Sequence, residues 1–430
     1  MSFRLTMLGC VFALASANTF SADGPLTLGA AQQLAVAHSL QLSAQDSAIT
    51  ASQEMAVGAR QLPDPVIKLG VDNVPISGAD RFSLTRDFMT MRRIGVMQEV
   101  TRGDKRRLRA ERYDRIAEKS AAEKVAAIAA IQRDTAIAWL DRYYAEEMVS
   151  IFAEQVSQAR MEIQAAEGAY RGGRGSQADV FAARSALAAV ENGGSEARRK
   201  AANAKIMLAR RTGVATELAL AGKPDINAIR LDPAALDAHL THHPQITVLN
   251  KQVFVAEADA KLAQANKTSD WTVEANFQQR GPAYSNMVSV GISIPLQWDQ
   301  KNRQDRELSS KLAMVEQAKA ERDEMLRDHL AETRILINEW ENGRERIARY
   351  ERELIPLANE RTTATGAAYH GGKASLAELL AARRNEIDVR QQAVQLQMET
   401  ARLWAQLNFL FPDEGVQDAH SAFLLQKDSK

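Results

Sequence analysis

Apolar and polar residues alternate over four short stretches of this chain and recur at three–four spacing over most of the rest. Over 66–72, Ile67, Leu69 and Val71 fall on one side and Lys68, Gly70 and Asp72 on the other, the pattern of a half-buried strand. Over 93–100, Ile94, Val96 and Val100 oppose Arg93 and Glu99, with Gln98 out of place on the apolar side. Two further strands are predicted at 271–278, where Trp271, Val273, Ala275 and Phe277 share a side, and at 288–296, where Val288, Val290, Ile292, Ile294 and Leu296 do. A loop with Pro75, Gly78 and Asp80 separates the first pair, and one with Gly281 and Pro282 the second. Helical patterning covers 28–61, ending at Pro63-Asp64-Pro65. It returns over 103–168, a run of about 100 Å at 1.5 Å per residue, with a seam of Ile128, Ile131, Thr135 and Ala138. In the other half it covers 243–265 and 301–365, the latter with a seam of Leu326, Leu330, Thr333, Ile337, Trp340 and Ile347, and with Pro356 placed to kink it.

One motif occurs twice. Tyr170-Arg171-Gly172-Gly173-Arg174-Gly175-Ser176 is matched by Tyr369-His370-Gly371-Gly372-Lys373-Ala374-Ser375, each followed three residues after the Ser by an acid, Asp179 or Glu378. The Gly pair supplies the left-handed dihedrals that stop a helix. The Ser and the acid are placed as a capping box for the next one, so each copy reads as the tip of a helical hairpin. Return helices are predicted to about Arg211 and Phe409. Ser39-Leu40-Gln41-Leu42 and His243-Pro244-Gln245-Ile246 correspond as well, so the chain reads as an internal duplication. The expected layout is a first repeat over 23–213, a turn-rich connector over 214–233 with Gly222, Pro224 and Pro233, a second repeat over 234–411, and a flexible tail over 412–430.

Composition narrows the function. Lys+Arg and Asp+Glu are both 54, a net charge of +0, which leaves no basic footprint for nucleic acid. No Pro occurs between Pro75 and Pro224 or between Pro295 and Pro356, which favours long helices. Arg4, an apolar run to Ala15 and the small residues Ala15-Ser16-Ala17 form an export signal over 1–17, with Phe20-Ser21-Ala22 as a second cleavage option extending it to 22. The single cysteine, Cys10, lies inside the apolar run; it is either removed with the signal or, less in keeping with the length of that run, lipidated. After cleavage at Ala17 neither a disulfide nor a thiolate metal site can form. Beyond the signal no stretch of about 18 apolar residues suggests a membrane helix, while a membrane β-barrel stays open.

Four strands apolar on one side would leave two bare edges as an open sheet, which a membrane forbids. A membrane barrel needs about eight strands or more, so the chain must share its barrel with other subunits. The fold class that follows is mainly α with a small β part, long hairpins forming a tube and four strands joining a shared barrel. A soluble periplasmic or surface coiled coil with small β-hairpins is the alternative from another class; it leaves the apolar strand faces unexplained.

The twin tips, the two strand pairs (above all Ser293-Ile294-Pro295-Leu296) and the export signal resemble the TolC-like outer-membrane factor family over nearly all of the mature chain. The segment Met91-Arg92-Arg93-Ile94-Gly95-Val96-Met97-Gln98-Glu99 resembles that family's heavy-metal branch, of the cobalt–zinc–cadmium and copper–silver type. The resemblance implies a homotrimer with a 12-stranded barrel set in outer-membrane lipid above a periplasmic α-helical tube. It implies the exit duct of a three-part pump, linked by a periplasmic adaptor (membrane fusion protein) to an inner-membrane resistance–nodulation–division transporter. It places adaptor contacts at Tyr170, Gly172, Gly173, Gly175, Ser176, Gly371, Gly372 and Ser375, and an entrance gate at Asp179, Glu378, Tyr369 and Lys373. Where the family sets a basic gate partner, this chain has Lys373 followed by Ala374, a departure from the usual salt-bridged lock.

Catalytic chemistry finds no foothold: no nucleophile motif, phosphate loop or cofactor fingerprint occurs, and no cofactor is expected. His242-His243 sits at a helix start, where adjacent side chains diverge and chelate poorly. Met89, Met91 and Met97 are soft thioethers near a strand entry, more in keeping with packing than with a copper(I) site. No metal ligand is expected, since a duct need not hold its cargo. Heavy-metal cations and organic compounds both stay open as that cargo.

Overall fold

The computed structural model describes residues 24–215, 217–223 and 225–413; the export signal, Cys10, Pro224 and the tail beyond 413 lie outside the described residues. The first half runs α1 (Leu28–Ala37), α2 (Leu40–Ala59), β1 (Val66–Asp72), β2 (Met91–Val100), α3 (Gly103–Arg171) and α4 (Gln177–Thr212). The second runs α5 (Leu236–Leu240), α6 (Pro244–Ala265), β3 (Trp271–Gln279), β4 (Met287–Ser293), α7 (Gln304–Arg349), α8 (Ile355–His370) and α9 (Leu376–Asn408).

All four strands form one antiparallel sheet in the order β1-β2-β3-β4, so the β2–β3 pairing joins the two halves. Its registers, Leu69↔Ile94, Ile94↔Phe277 and Phe277↔Val288, carry an apolar row across all four strands, and Ile67, Val96, Ala275 and Val290 form a parallel one. These side chains stand in the open: Leu69 is 74% and Val288 73% exposed. The other face is polar and paired, with Lys68 on Glu274 (2.7 Å), Arg93 near Asp72 (3.4 Å) and Gln278 near Ser289 (3.4 Å). Apolar residues outside and ion pairs inside is the reverse of a water-soluble sheet and the pattern of a membrane barrel wall.

At its lower end the sheet is tied to the helices. Asp270, just before β3, accepts from the Arg102 amide (3.0 Å) and from buried Lys105 Nζ (2.8 Å), which clamps the start of α3. From there α3 runs 69 residues without a break. Its seam residues Ile128, Thr135 and Ala138 are buried, as are Thr333, Ile337 and Trp340 on α7. The two halves use the same anchor: Trp139 Nε1 donates to the Leu26 carbonyl (2.9 Å), and Trp340 Nε1 to the Ile226 carbonyl (3.0 Å).

Several boundaries differ from the sequence reading, each for a physical reason. The helix expected over 28–61 breaks at His38-Ser39, because α1 turns aside to bury Ala31 and Ala35 while α2 follows α3. The second half breaks in the matching place, between α5 and α6, where His243 caps α6 by accepting from the Gln245 amide (3.3 Å). Strand β2 begins at Met91 rather than Arg93. Strand β4 stops at Ser293 although the alternation continues to Leu296; Ser293 already pairs with Thr272 near the start of β3, and Pro295 has no amide to donate. Pro356 is accommodated by a π-helical turn at Tyr350–Leu354, closed by the Ile355 amide on the Tyr350 carbonyl. The extra residue in that turn lets the proline ring clear the Arg352 carbonyl it would otherwise meet. The start of the tail is fastened, with the Asp413 amide on Gln132 Oε1 (2.9 Å) and its carboxylate on Arg230 (3.0 Å).

Trp139→Phe and Trp340→Phe each delete one buried hydrogen bond, at a cost of about 0.5–1.5 kcal/mol for Trp139, because the Leu26 carbonyl keeps the Ala221 amide (3.1 Å), and about 1–3 kcal/mol for Trp340. Both variants are expected to lower the thermal unfolding midpoint, Trp340→Phe by more; an equal drop would show that the second donor on Leu26 does not compensate.

Candidate functional site at the hairpin tips

The tips follow from their sequence bond by bond. In the first, the Gly173 amide donates to the Tyr170 carbonyl (3.0 Å) and the Arg174 amide to the Ala169 carbonyl (2.9 Å). In the second, Gly372 donates to Tyr369 (3.0 Å) and Lys373 to Ala368 (2.8 Å). This paired closure of a helix C-terminus requires a left-handed residue, and only the second Gly of each pair supplies it, Gly173 at φ +70° and Gly372 at φ +72°. Gly172 and Gly371 stay right-handed, at φ −82° and −78°. A Cβ there would stand 3.4 Å from the Gly168 carbonyl oxygen and 3.3 Å from that of Ala367, at most slightly tight. Gly175 is similarly tight, a Cβ there falling 3.2 Å from Ala169 Cβ. The second copy carries Ala374 at this place, and its amide bond to Ala368 is longer, 3.3 Å against 3.1 Å for Gly175 to Ala169.

Both return helices start with a complete capping box. Asp179 Oδ2 accepts from the Ser176 amide and hydroxyl (both 2.8 Å), and the Asp179 amide donates to Ser176 Oγ (3.2 Å). Glu378 Oε2 accepts from the Ser375 amide (2.7 Å) and hydroxyl (3.0 Å), and the Glu378 amide donates to Ser375 Oγ (3.2 Å). In each acid both bonds fall on one carboxylate oxygen. The serine amide, and then the hydroxyl, hold both carboxyls below their ordinary range, so both tips are ionised at neutral pH.

The two tips of one chain pack together but are not equivalent. Val180 and Ala183 of the first meet Leu376 and Leu379 of the second, with Tyr369 against the same cluster. Burial, and then the charge of Asp179, push the Tyr369 phenol up. Tyr170, its counterpart, is 49% exposed and lines a shallow pocket of about 310 Å³ with Glu167, Phe181 and Arg184. Lys373 is exposed.

A charged cluster above the tips escaped the sequence reading. Glu386 on α9, 1% exposed, is held by Arg383 (3.1 Å) and Arg390 (3.0 Å). The same arginines cross to Glu162 (3.0 Å) and Glu154 (3.2 Å) of α3, bolting the second hairpin to the first. Burial pushes the Glu162 carboxyl up, against the pull of Arg383. The three–four spacing on α9 was visible, but nothing in the sequence showed which carboxylates of α3 lie opposite.

The weighed metal candidates do not converge. His242 Nδ1 turns to Thr241 Oγ1 (3.0 Å) and the Ala238 carbonyl (3.2 Å). His243 is buried against the His329 ring (4.6 Å between centroids) and Phe411; burial, then His329 and Arg133, hold its pKa near 4. Met91 and Met97 share the polar face of β2, six residues and roughly 20 Å apart, while Met89 lies in the preceding loop. Among the described residues no group of three or more His, Cys, Asp or Glu could hold a metal ion.

A two-faced sheet, duplicated hairpins about 100 Å long and paired tips make up the fold of the TolC-like outer-membrane factors, and this chain has that fold. The chain is 24% identical over 374 residues to the cobalt-zinc-cadmium resistance protein CzcC of Cupriavidus metallidurans, covering 86% of each sequence. Among solved structures it is similar to the outer-membrane channel OprN, with a TM-score of 0.75 at 17% identity over 90% of each chain. It is similar to CusC, with a TM-score of 0.75 at 13% identity over 90% of this chain and 92% of that one. It is also similar to VceC of Vibrio cholerae, with a TM-score of 0.71 at 19% identity over 89% and 95%. No protein-family model matches the chain. The resemblance read from the twin tips and strand pairs is thus borne out in the fold.

The caps make the tips acid-sensitive in a defined direction. A carboxyl with a lowered folded pKa contributes stability above its unfolded pKa and loses it as pH falls through the folded one. Amide exchange at Asp179 and Glu378 is therefore expected to quicken, relative to the helix interiors, below the ordinary carboxylate range. Ser176→Ala and Ser375→Ala should reproduce the fraying at neutral pH, each at a cost of about 0.5–2 kcal/mol.

Proposed function

We infer that this chain is the outer-membrane exit duct of a three-part efflux pump, working with a periplasmic adaptor and a resistance–nodulation–division transporter. One observation carries the reading: the sheet turns its apolar face outward and its ion pairs inward, and both of its edges, β1 and β4, lack strand partners among the described residues. Three copies would close a barrel of twelve strands, within the range that spans an outer membrane. Exposed aromatic residues at both ends of the sheet, Trp271 and Trp298 below and Phe82, Phe88 and Tyr284 above, suit the two lipid–water boundaries. The hairpins then extend into the periplasm and form the tube.

At the mouth of that tube the tips take two roles. Asp179 and Glu378 hold their charge and use one oxygen each for capping. Three copies bring six carboxylates to one ring, with Tyr369 and Lys373 beside them, a gate that favours cations. The adaptor docks on the tips, where Tyr170, Gly172, Gly173, Gly175, Ser176, Gly371, Gly372 and Ser375 present backbone and small side chains for close approach. The similarity to a cobalt-zinc-cadmium resistance protein supports heavy-metal cations as cargo. Copper or silver, or organic compounds, are the competing cargoes of the same duct.

Light scattering on the solubilised protein is expected to give a trimer, and a monodisperse monomer would sink the reading. In planar bilayers Asp179→Asn with Glu378→Gln should lose cation selectivity while the trimer persists; an unchanged permeability ratio would remove the acids from the gate. Loss of the gene is expected to lower tolerance to cobalt, zinc or cadmium. Unchanged tolerance to these and to copper and silver, with new sensitivity to a dye or antibiotic, would move the cargo to organic compounds.

A further inference from the structure

Both strand hairpins turn over at the end of the sheet away from the helices, through loops at 73–90 and 280–286. The two loops lie against each other. Arg280 Nε donates to the Phe88 carbonyl (2.9 Å), and Gly281 is so close to Thr85 that a Cβ on it would strike the Thr85 carbonyl oxygen. The Phe82 amide donates to the Pro75 carbonyl (2.7 Å), closing a turn in which Phe82 takes a left-handed backbone, φ +56°, that bulky residues avoid. The apolar side chains of the longer loop stand free: Ile76, Phe82, Leu84 and Phe88 are all exposed.

Three guanidiniums at this end, those of Arg81, Arg92 and Arg280, have no carboxylate partner among the described residues. Arg81 lies over the Phe82 ring (4.7 Å) and Arg280 over that of Tyr284 (4.9 Å), while Arg92 Nε is buried without a hydrogen-bond partner. The acids of the two loops are already engaged, Asp80 near Arg86 (3.5 Å) and Asp87 on the Met89 amide (2.8 Å). Arg92 ends the outward face of β2, two residues beyond Ile94, and pairs with Val71 of β1 and Gln279 of β3. It is Arg93, on the inward face, that has Asp72 nearby. An unneutralised charge thus stands directly above the apolar row of Leu69, Ile94 and Phe277. Since β2 lies between β1 and β3, further copies added at the edges β1 and β4 leave its outward face uncovered.

We propose that this end of the sheet is a docking surface for a phosphorylated glycolipid of the outer leaflet, with its phosphates on Arg92 and Arg81 and its acyl chains along the outward apolar rows. The step rests on the duct reading, which sets this end of the sheet at the outer boundary of the membrane. Charge complementarity selects the occupant. A guanidinium fork takes two phosphate oxygens at once and is the side chain best suited to that group. A zwitterionic lipid brings a cation that the arginines repel, and an acidic protein segment would leave the aliphatic rows bare. An amphiphile with an anionic head and several chains satisfies both halves of the surface. Bound there, it fixes the height of the sheet in the bilayer.

The probe is lipid A carrying two phosphates, titrated into the detergent-purified full-length protein, with bound copies counted by native mass spectrometry. Saturable binding is expected, about tenfold or more tighter than for the same lipid stripped of its phosphates. Arg92→Gln combined with Arg81→Gln should lose most of that preference. Arg92→Lys should lose part of it, because the charge stays and the fork goes. Arg327→Gln, at a side chain 75% exposed on α7, should bind as wild type. No binding, equal affinity for the two lipids, or an unchanged preference in the double variant would overturn the proposal. So would full displacement by millimolar inorganic phosphate, which would mark a site for the free anion. Planar-bilayer conductance of the same preparations separates the two readings: absent conductance defeats the duct and the proposal with it, whereas normal conductance with phosphate-blind lipid binding defeats only the docking surface.

Discussion

A sheet with an apolar outer face and two unpaired edges is unstable in water, and relieving that instability organises the whole molecule. Each exposed aliphatic side chain returned to an apolar phase contributes about 1.5–3 kcal/mol, and rows such as Leu69, Ile94, Phe277 and Val288 repeat the gain across all four strands. The unpaired edges add a backbone demand that only another strand can meet. The β2–β3 pairing matters most within the chain, because it turns two separate hairpins into one wall. Asp270 then fixes the direction in which α3 leaves that wall, through its bonds to the Arg102 amide and Lys105.

Duplication supplied the parts, and their later divergence supplied the working differences. Both halves retain the tryptophan-to-carbonyl anchor, the broken leading helix, the left-handed second glycine and the capping box. They differ where one hairpin meets the other. Tyr369 packs against the apolar cluster between the tips, while Tyr170 is exposed. Only the second half's outer helix carries a π turn, at Tyr350–Leu354, whereas α3 is continuous. The buried cluster of Glu386, Arg383 and Arg390 has its partners on α3, so one hairpin serves as the support of the other.

Much of the fold could be read from periodicity, because strands apolar on one side and helices with a packed seam both leave a one-dimensional trace. The four strands, the long helices, the twin tips and both capping boxes were legible for that reason. At the tips the reading failed only in detail, since only the second glycine of each pair takes the left-handed dihedral. Boundaries went astray where a partner, and not the local pattern, ends an element. The alternation through Ile294 and Leu296 continues past the last residue that β3 can pair, and Pro356 is preceded by a π-helical turn that the local pattern did not announce.

The amino-acid order by itself determined which face of every strand is apolar, where the two tips close and their return helices start, and that the plan occurs twice. These are consequences of side-chain alternation, glycine dihedrals and capping chemistry, all of which act within a few residues. Tertiary structure alone decided what lies opposite what. It brought Glu154 and Glu162 of α3 under Arg390 and Arg383 of α9, Tyr369 against the cluster of Val180 and Ala183, and three methionines from three helices into one groove. No local pattern encodes such neighbours, because they depend on how two helices separated by some two hundred residues settle in register against each other.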